Sequence, residues 1–172
     1  EGKGNAARLI TKVSSVLPNE SRKKIFSEIH GFFGGRLRMI ICGAAALQKQ
    51  TAKDFFSYGI PVIIGYGLTE CSPIIICNND VSPTTDTVGK PLPGVQVKIV
   101  NSDENGIGEI AVKGPMVMKG YYKNKAQTDK VMIDGWFHTG DLGFEDKNGN
   151  YHITGRCKNV IVTANGKNIY PE

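Results

Sequence analysis

The sequence predicts an α/β chain that changes character about half-way along. Two apolar runs, Leu37-Arg38-Met39-Ile40-Ile41 and Pro61-Val62-Ile63-Ile64, flank a helical stretch from about Gln48 to Tyr58. That strand, helix, strand rhythm is the pattern of a parallel sheet. After Gly89-Lys90-Pro91-Leu92-Pro93-Gly94 the chain turns to short alternating strands broken by Asn-Gly turns, the pattern of a small β-barrel. A further hairpin opens at Val160.

Taken in order, residues 5–16 and 20–30 read as helices, interrupted by Pro18 and closed at Gly34-Gly35. In the second, Ile25, Phe26 and Ile29 share one face while Arg22, Lys23 and Lys24 point elsewhere. Gly43-Ala44-Ala45 and Gly65-Tyr66-Gly67 fall just past the carboxyl ends of the two apolar strands, the edge where ligands bind in open α/β sheets. Val95 to Val100 and Ile107 to Val112 form a hairpin around Asp103-Glu104-Asn105-Gly106. A short helix near Lys125 to Met132 follows, and Asp146-Lys147-Asn148-Gly149 joins two more strands ending at Thr154.

A chain of 172 residues can bury a core of its own. No apolar run approaches the roughly 18 residues of a membrane span, so a soluble, cytoplasmic protein is expected. The chain starts at Glu1 without a basic-then-apolar leader, which reads as a cut within a longer protein. Cys42, Cys71, Cys77 and Cys157 lack metal-ligand spacing and are expected as reduced, buried thiols. The histidines His30, His138 and His152 likewise lack ligand spacing. The net charge of +5 is local, since residues 1–54 carry ten Lys or Arg against four Asp or Glu, and the rest eleven against twelve. A solvated helix face accounts for that excess, with contact to an anionic membrane surface or to CoA phosphates as the alternative. No nucleic-acid-binding module is present in the sequence.

Three motifs carry chemistry. Gly65-Tyr66-Gly67-Leu68-Thr69-Glu70 follows an apolar strand and sets an aromatic ring between glycines, where backbone can approach a planar base. Trp136-Phe137-His138-Thr139-Gly140-Asp141 places a carboxylate after a glycine turn, able to accept charge-assisted hydrogen bonds from paired hydroxyls. Gly155-Arg156-Cys157-Lys158-Asn159 leads into Gly166-Lys167-Asn168-Ile169-Tyr170-Pro171-Glu172. Between them lies Gly108-Glu109-Ile110-Ala111-Val112-Lys113-Gly114, which with Gly120-Tyr121 reads as architectural, Glu109 being a structural partner. Together, in this order, the motifs resemble the adenylate-forming enzymes, which include acyl-CoA synthetases, firefly luciferases and the adenylation domains of peptide synthetases. The flanks Arg36-Leu37-Arg38-Met39-Ile40-Ile41 and Asn168 to Glu172 are most similar to long-chain fatty acyl-CoA synthetases.

The resemblance implies ATP, Mg²⁺ and CoA as ligands and a carboxylic acid as substrate. Tyr66 would stack on adenine, with Gly67 beside it, and Gly43, Ala44 and Ala45 would contact adenine and line one wall of the acyl pocket. Ala44 stands where a second glycine is common. Thr69 would bond the α-phosphate and Glu70 would hold Mg²⁺, the two acting as catalytic residues. Asp141 and Arg156 would hold the ribose, Lys158 would be a hinge, and Gly166 and Lys167 would belong to a loop on the CoA side. On this resemblance residues 1–88 are the later part of an N-terminal nucleotide-binding subdomain, 89–155 a β-barrel, and 156–172 the hinge and start of a mobile C-terminal domain. The family's upstream phosphate-gripping loop and its late lysine have no match here, so the segment alone is expected to be inactive. A carrier-protein thiol in place of CoA, or a non-catalytic nucleotide-binding scaffold that docks on membranes, are the competing readings.

Overall fold

The computed structural model describes residues 14, 16–45, 47–78, 86–162, 168 and 169. They form two compact units, one holding the described residues up to Ile64 with Asp86, the other holding Gly65–Asn78 and the described residues from Thr87 onward.

In the first unit, two short helices, α1 (Asn19–Ile25) and α2 (Ser27–Phe32), stand where one helix was expected over residues 20–30. Phe26 breaks the run at φ −105° and ψ 33°, and its ring lies 5.0 Å from that of Tyr58. The expected polarity of this stretch holds at Phe26, Ile29 and Lys24 but fails at Arg22, which is buried, and at Ile25, which is exposed; His30 is buried as well. The cause is the C-terminal end of α3 (Lys49–Ser57), whose last carbonyls lack partners within the helix and carry its negative end. Arg22 Nη1 donates to the Phe56 carbonyl at 2.6 Å, with its guanidinium 4.4 Å from the Phe56 ring centre. His30 Nε2 lies 2.8 Å from the Tyr58 carbonyl. Lys23 pairs with Glu20, which leaves Lys24 as the exposed charge of this basic run. The helix expected over residues 5–16 falls almost wholly outside the described residues.

Following the helices, β1 (Ile40–Cys42) runs parallel to β2 (Val62–Tyr66), with Ile40 opposite Val62 and Cys42 opposite Ile64. This is the strand, helix, strand unit read from the apolar runs, and Ala52, Ile60 and Val62 supply its buried contacts. The thiols differ from expectation: Cys71 is buried, Cys42 and Cys77 are half-buried, and Cys157 is exposed because it sits in a surface turn at the end of a strand.

The second unit begins with the last two residues of β2, which pair antiparallel with β3 (Ile76–Cys77), and β3 pairs with β4 (Lys90–Pro91). A curled five-stranded sheet follows, built from β5 (Gln96–Val100), β6 (Gly108–Lys113), β7 (Met132–Ile133), β8 (Trp136–Glu145) and β9 (Tyr151–Arg156). The order is β5-β6-β8-β7, with β9 also on β8. At ten residues, β8 is long enough to pair with β6 along one edge and, on the other, with β7 at its start and β9 at its end. The helix α4 (Lys125–Val131) feeds β7 and is capped by Asn124, whose side chain accepts from the Gln127 amide.

Residues 87–91 stitch the two sheets of this unit together. Val88 N donates to the Tyr151 carbonyl and Tyr151 N to the Gly89 carbonyl, while the next two residues form β4 on β3. Gly89 makes the crossing at φ +90°, and a Cβ there would run into the Cys77 carbonyl and the Asn78 backbone. The core beneath holds Ile75, Ile76, Ile110, Val112 and Phe137, each at most 2% exposed. Burial of side chains of this size stabilises by roughly 1.5–3 kcal/mol each. The last strands, β10 (Ile161–Val162) and β11 (Asn168–Ile169), pair antiparallel as the hairpin expected after Val160. Among the described residues no helix is long and apolar enough to cross a membrane.

Candidate functional site

Asp141 is presented by a bulge in β8. Glu109 pairs with Leu142 and Ala111 with His138, so Ile110 alone faces the three residues Thr139, Gly140 and Asp141. Extra residues in one strand bend it and free backbone groups from the ladder. Three backbone groups at the bulge find side-chain partners here. Thr139 Oγ1 donates to the Ile110 carbonyl at 2.9 Å and accepts from Asp141 N at 3.0 Å. Gly140, at φ +75°, donates its N–H to Glu109 Oε1 at 3.0 Å, and Glu109 Oε2 lies 2.8 Å from His138 Nδ1.

The carboxylate carried out by this bulge meets two donors. Tyr66 Oη donates to Asp141 Oδ2 at 2.7 Å and Arg156 Nε donates to Asp141 Oδ1 at 2.7 Å. Arg156 reaches it because it is the cross-strand partner of Asp141 on β9. Asp141 is 8% exposed, whereas the Arg156 side chain is 57% exposed. Burial, with the Asp141 charge adding to it, holds the Tyr66 hydroxyl protonated well above the ordinary tyrosine range, so it stays a donor. Each carboxylate oxygen has a second lone pair, and the pair can still accept from ligand hydroxyls.

The glycines around Tyr66 differ in what they require. A Cβ at Gly67 would collide with the Pro73 carbonyl oxygen, so the protein's own backbone explains that glycine. At Gly65 a Cβ would meet nothing nearer than 3.7 Å.

Beyond Gly67, Thr69 opens a 3₁₀ turn (Thr69–Cys71) with its side chain exposed, and Glu70 follows half-buried. Three bonds tie this turn to residues 116–121. Met118 N donates to the Glu70 carbonyl at 2.7 Å, Ser72 Oγ to the Met116 carbonyl at 3.0 Å, and Tyr121 Oη to Glu70 Oε1 at 3.0 Å. Burial and then the Glu70 hydrogen bond raise the Tyr121 hydroxyl, which keeps it donating. Tyr121 is fixed in turn by its own N–H bonding Thr128 Oγ1 at 2.9 Å. Its link to Glu70 could not be read from the sequence, because the two positions are 51 residues apart.

The structure thus brings Tyr66, Asp141 and Arg156 together and sets Thr69 and Glu70 on the turn just after Tyr66. Gly43, Ala44 and Ala45 follow β1 in the first unit, with Ala44 at φ +66°, a conformation that glycine adopts without strain. Lys158 is exposed in a 3₁₀ turn (Cys157–Asn159) directly after β9. Gly166 and Lys167 lie outside the described residues. Among the described residues, no group of three or more His, Cys, Asp or Glu could hold a metal ion. A lone Glu70 fits Mg²⁺ nonetheless, since that ion keeps most of its water and takes one or two carboxylates alongside phosphate oxygens.

Comparison with known proteins gives the class: the solved structures that this chain resembles are adenylate-forming enzymes. Residues 8–122 match the model of the AMP-binding enzyme family, and the chain belongs to that family. The long-chain-fatty-acid–CoA ligase FadD15 of Mycobacterium bovis is 37% identical over 147 residues, covering 86% of this chain and 24% of that protein. The peroxisomal long chain acyl-CoA synthetase 7 of Arabidopsis thaliana is 38% identical over 162 residues, covering 87% of this chain and 23% of its own length. Among solved structures, ATP-bound MatB from Rhodopseudomonas palustris matches with a TM-score of 0.73 at 36% identity over 80% of this chain and 29% of its own. O-succinylbenzoate coenzyme A synthetase (MenE) from Bacillus subtilis, in complex with ATP and magnesium ion, matches at 0.70 and 31% over 78% and 29%. The chain spans about a quarter of the length of the curated relatives it matches.

Proposed function

We propose that the full-length protein carrying this segment is an AMP-forming acid–thiol ligase. It activates a carboxylic acid, in the first instance a long-chain fatty acid, with ATP to an acyl-adenylate and pyrophosphate, then transfers the acyl group to the CoA thiol. The observation that carries this reading is the Tyr66, Asp141, Arg156 cluster, held in a sheet that matches ATP-bound relatives. The relatives' names supply the acid and the thiol.

On this reading the Tyr66 ring covers adenine while its hydroxyl holds Asp141, and Asp141 accepts the ribose hydroxyls. Gly43, Ala44 and Ala45 contact adenine and line one wall of the acyl pocket, as the family resemblance implies. The Thr69 hydroxyl bonds the α-phosphate. Mg²⁺, held by Glu70 and the phosphates, would offset the negative charge on the phosphate oxygens. The protein's main contribution is to position the acid carboxylate in line with the α-phosphate and to keep donors oriented in advance. Residues 1–88 then belong to the nucleotide-binding subdomain, 89–155 to the barrel, and 156–172 to the hinge and the start of the C-terminal domain. Lys158 is the pivot, and Gly166 and Lys167 move to the CoA side after adenylation.

Assay of the purified full-length protein with ATP, CoA and fatty acids of graded chain length tests the proposal. Acyl-CoA formation that favours long chains supports it. Adenylate formation with no transfer to CoA would instead favour a carrier-protein thiol.

A further inference from the structure

We infer that Glu109 is a positioning residue for nucleotide binding, acting through the backbone that presents Asp141. The inference rests on the nucleotide site proposed above. Its basis is the bulge in β8, where one residue of β6 faces three. A bulge of that size leaves backbone amides without ladder partners, and an unsatisfied amide would let the loop relax toward a regular register. A regular register would shift Asp141 by two residues along β6, roughly 7 Å, because three residues opposite one are an excess of two.

Glu109 opposes that slip with both carboxylate oxygens. Oε1 accepts the Gly140 amide directly before Asp141, and Oε2 engages the His138 ring at the point where the bulge begins. The bulge is therefore bracketed at its entry and at its apex by one side chain from the neighbouring strand. Thr139 fills the remaining position by bonding the Ile110 carbonyl and the Asp141 amide. Tyr66 and Arg156 meet the Asp141 carboxylate, whereas Glu109 bonds the Gly140 amide and the His138 ring. Its influence on the nucleotide passes through backbone geometry.

Because ribose contacts persist in ground and transition states alike, loss of Asp141 alignment appears in ATP affinity and leaves turnover at saturating ATP nearly unchanged. The experiment uses the full-length protein with Glu109→Ala, Glu109→Gln, Asp141→Ala and the Glu109→Ala/Asp141→Ala double variant. It reads ATP affinity by calorimetry, together with KM for ATP and kcat. Removal of a hydrogen bond to a charged group predicts that Glu109→Ala weakens ATP by roughly tenfold with kcat held within about twofold. Glu109→Gln, which keeps an oxygen for the Gly140 amide, should lose only about a third as much on a logarithmic scale. In the Asp141→Ala background Glu109→Ala should add nothing, since the effect travels through Asp141. Unchanged ATP affinity in Glu109→Ala, or a full additional loss in the double variant, overturns the inference. If Glu109→Ala does not fold, Glu109→Gln decides alone, a raised KM at constant kcat supporting the inference and an unchanged KM overturning it. Failure of the wild-type protein to bind ATP would refute the underlying site instead, and calorimetry on that protein separates the two cases.

Discussion

Tyr66 and Asp141 lie 75 residues apart in the chain and share a hydrogen bond of 2.7 Å from the tyrosine hydroxyl to the carboxylate. The contact links the end of β2 to the bulge of β8, and it exists because residues 87–91 bind β9 on one side and β3 on the other. On the proposed reading, one aromatic residue would thereby offer its ring face to a base and its hydroxyl to the group that holds the sugar.

Substitution of Tyr66 separates those two roles. Tyr66→Phe keeps the ring and should weaken ATP binding by about tenfold to a hundredfold, the range for one hydrogen bond to a charged group. Tyr66→Ala should lose a further 1–3 kcal/mol or so, as for base stacking on an aromatic ring. Titration of the full-length variants with ATP checks this, and equal losses in both would remove the ring from the site.

The stitching of the second unit predicts unequal costs at two glycines with similar backbone angles. Gly94, at φ +82°, has open space around a built Cβ, so Gly94→Ala should cost about 1 kcal/mol of conformational strain. Gly89, at φ +90°, faces backbone atoms of Cys77 and Asn78, so Gly89→Ala should destabilise several-fold more. Denaturant unfolding of the two variants measures the difference, and equal midpoints would contradict the crossing described here.

Ala44 predicts the opposite sign. Its φ of +66° strains an alanine, so Ala44→Gly should stabilise by up to about 1 kcal/mol, less what glycine adds to unfolded-chain entropy. A lowered melting temperature would show that the left-handed turn is not kept in solution.

Much of this was legible in the sequence, for definable reasons. The β1, α3, β2 unit announced itself through apolar runs whose lengths and flanking helix suit a parallel pair, and the strands of the curled sheet through alternation and Asn-Gly turns. Helical periodicity does not place Arg22, because it cannot show that another helix ends nearby with a carbonyl facing it. The break at Phe26 follows from the same packing against Tyr58. Within the site, the order of the motifs drew attention to Tyr66, Thr69, Glu70, Asp141 and Arg156. The bulge that presents Asp141 leaves no local signature, because it is defined by a register between β6 and β8. For the same reason the Tyr121 contact with Glu70 had to be seen in three dimensions.

The buried thiol of Cys71 predicts a pH dependence of stability. Burial lifts it from its ordinary 9.0 to about 11. Folding therefore favours the protonated form. The resulting stabilisation is present below pH 9 and is lost as pH rises from about 9 to 11. Comparison with Cys71→Ala isolates this group from tyrosines titrating nearby. Wild-type protein should lose stability relative to that variant across this interval, and parallel profiles would rule the effect out.

Lys158 sits in the exposed turn directly after β9, where the proposed mobile domain begins. Proline at this position fixes φ near −65° and should restrict rotation. In the full-length protein, Lys158→Pro is expected to preserve acyl-adenylate formation while strongly slowing transfer to CoA. Single-turnover assays of the two steps decide it, and equal effects on both would remove the hinge assignment.

The central claim is that the residues around Tyr66 and Asp141 serve adenylation of a carboxylic acid. The most direct measurement is acid-dependent exchange of pyrophosphate into ATP by the full-length protein, with Thr69→Ala and Glu70→Ala alongside wild type. The account predicts exchange that requires a long-chain fatty acid and falls on the order of a hundredfold in each variant, as when one oriented electrostatic contact is lost. Wild-type exchange rates in both variants, or no exchange by the wild-type protein with any acid, would contradict it.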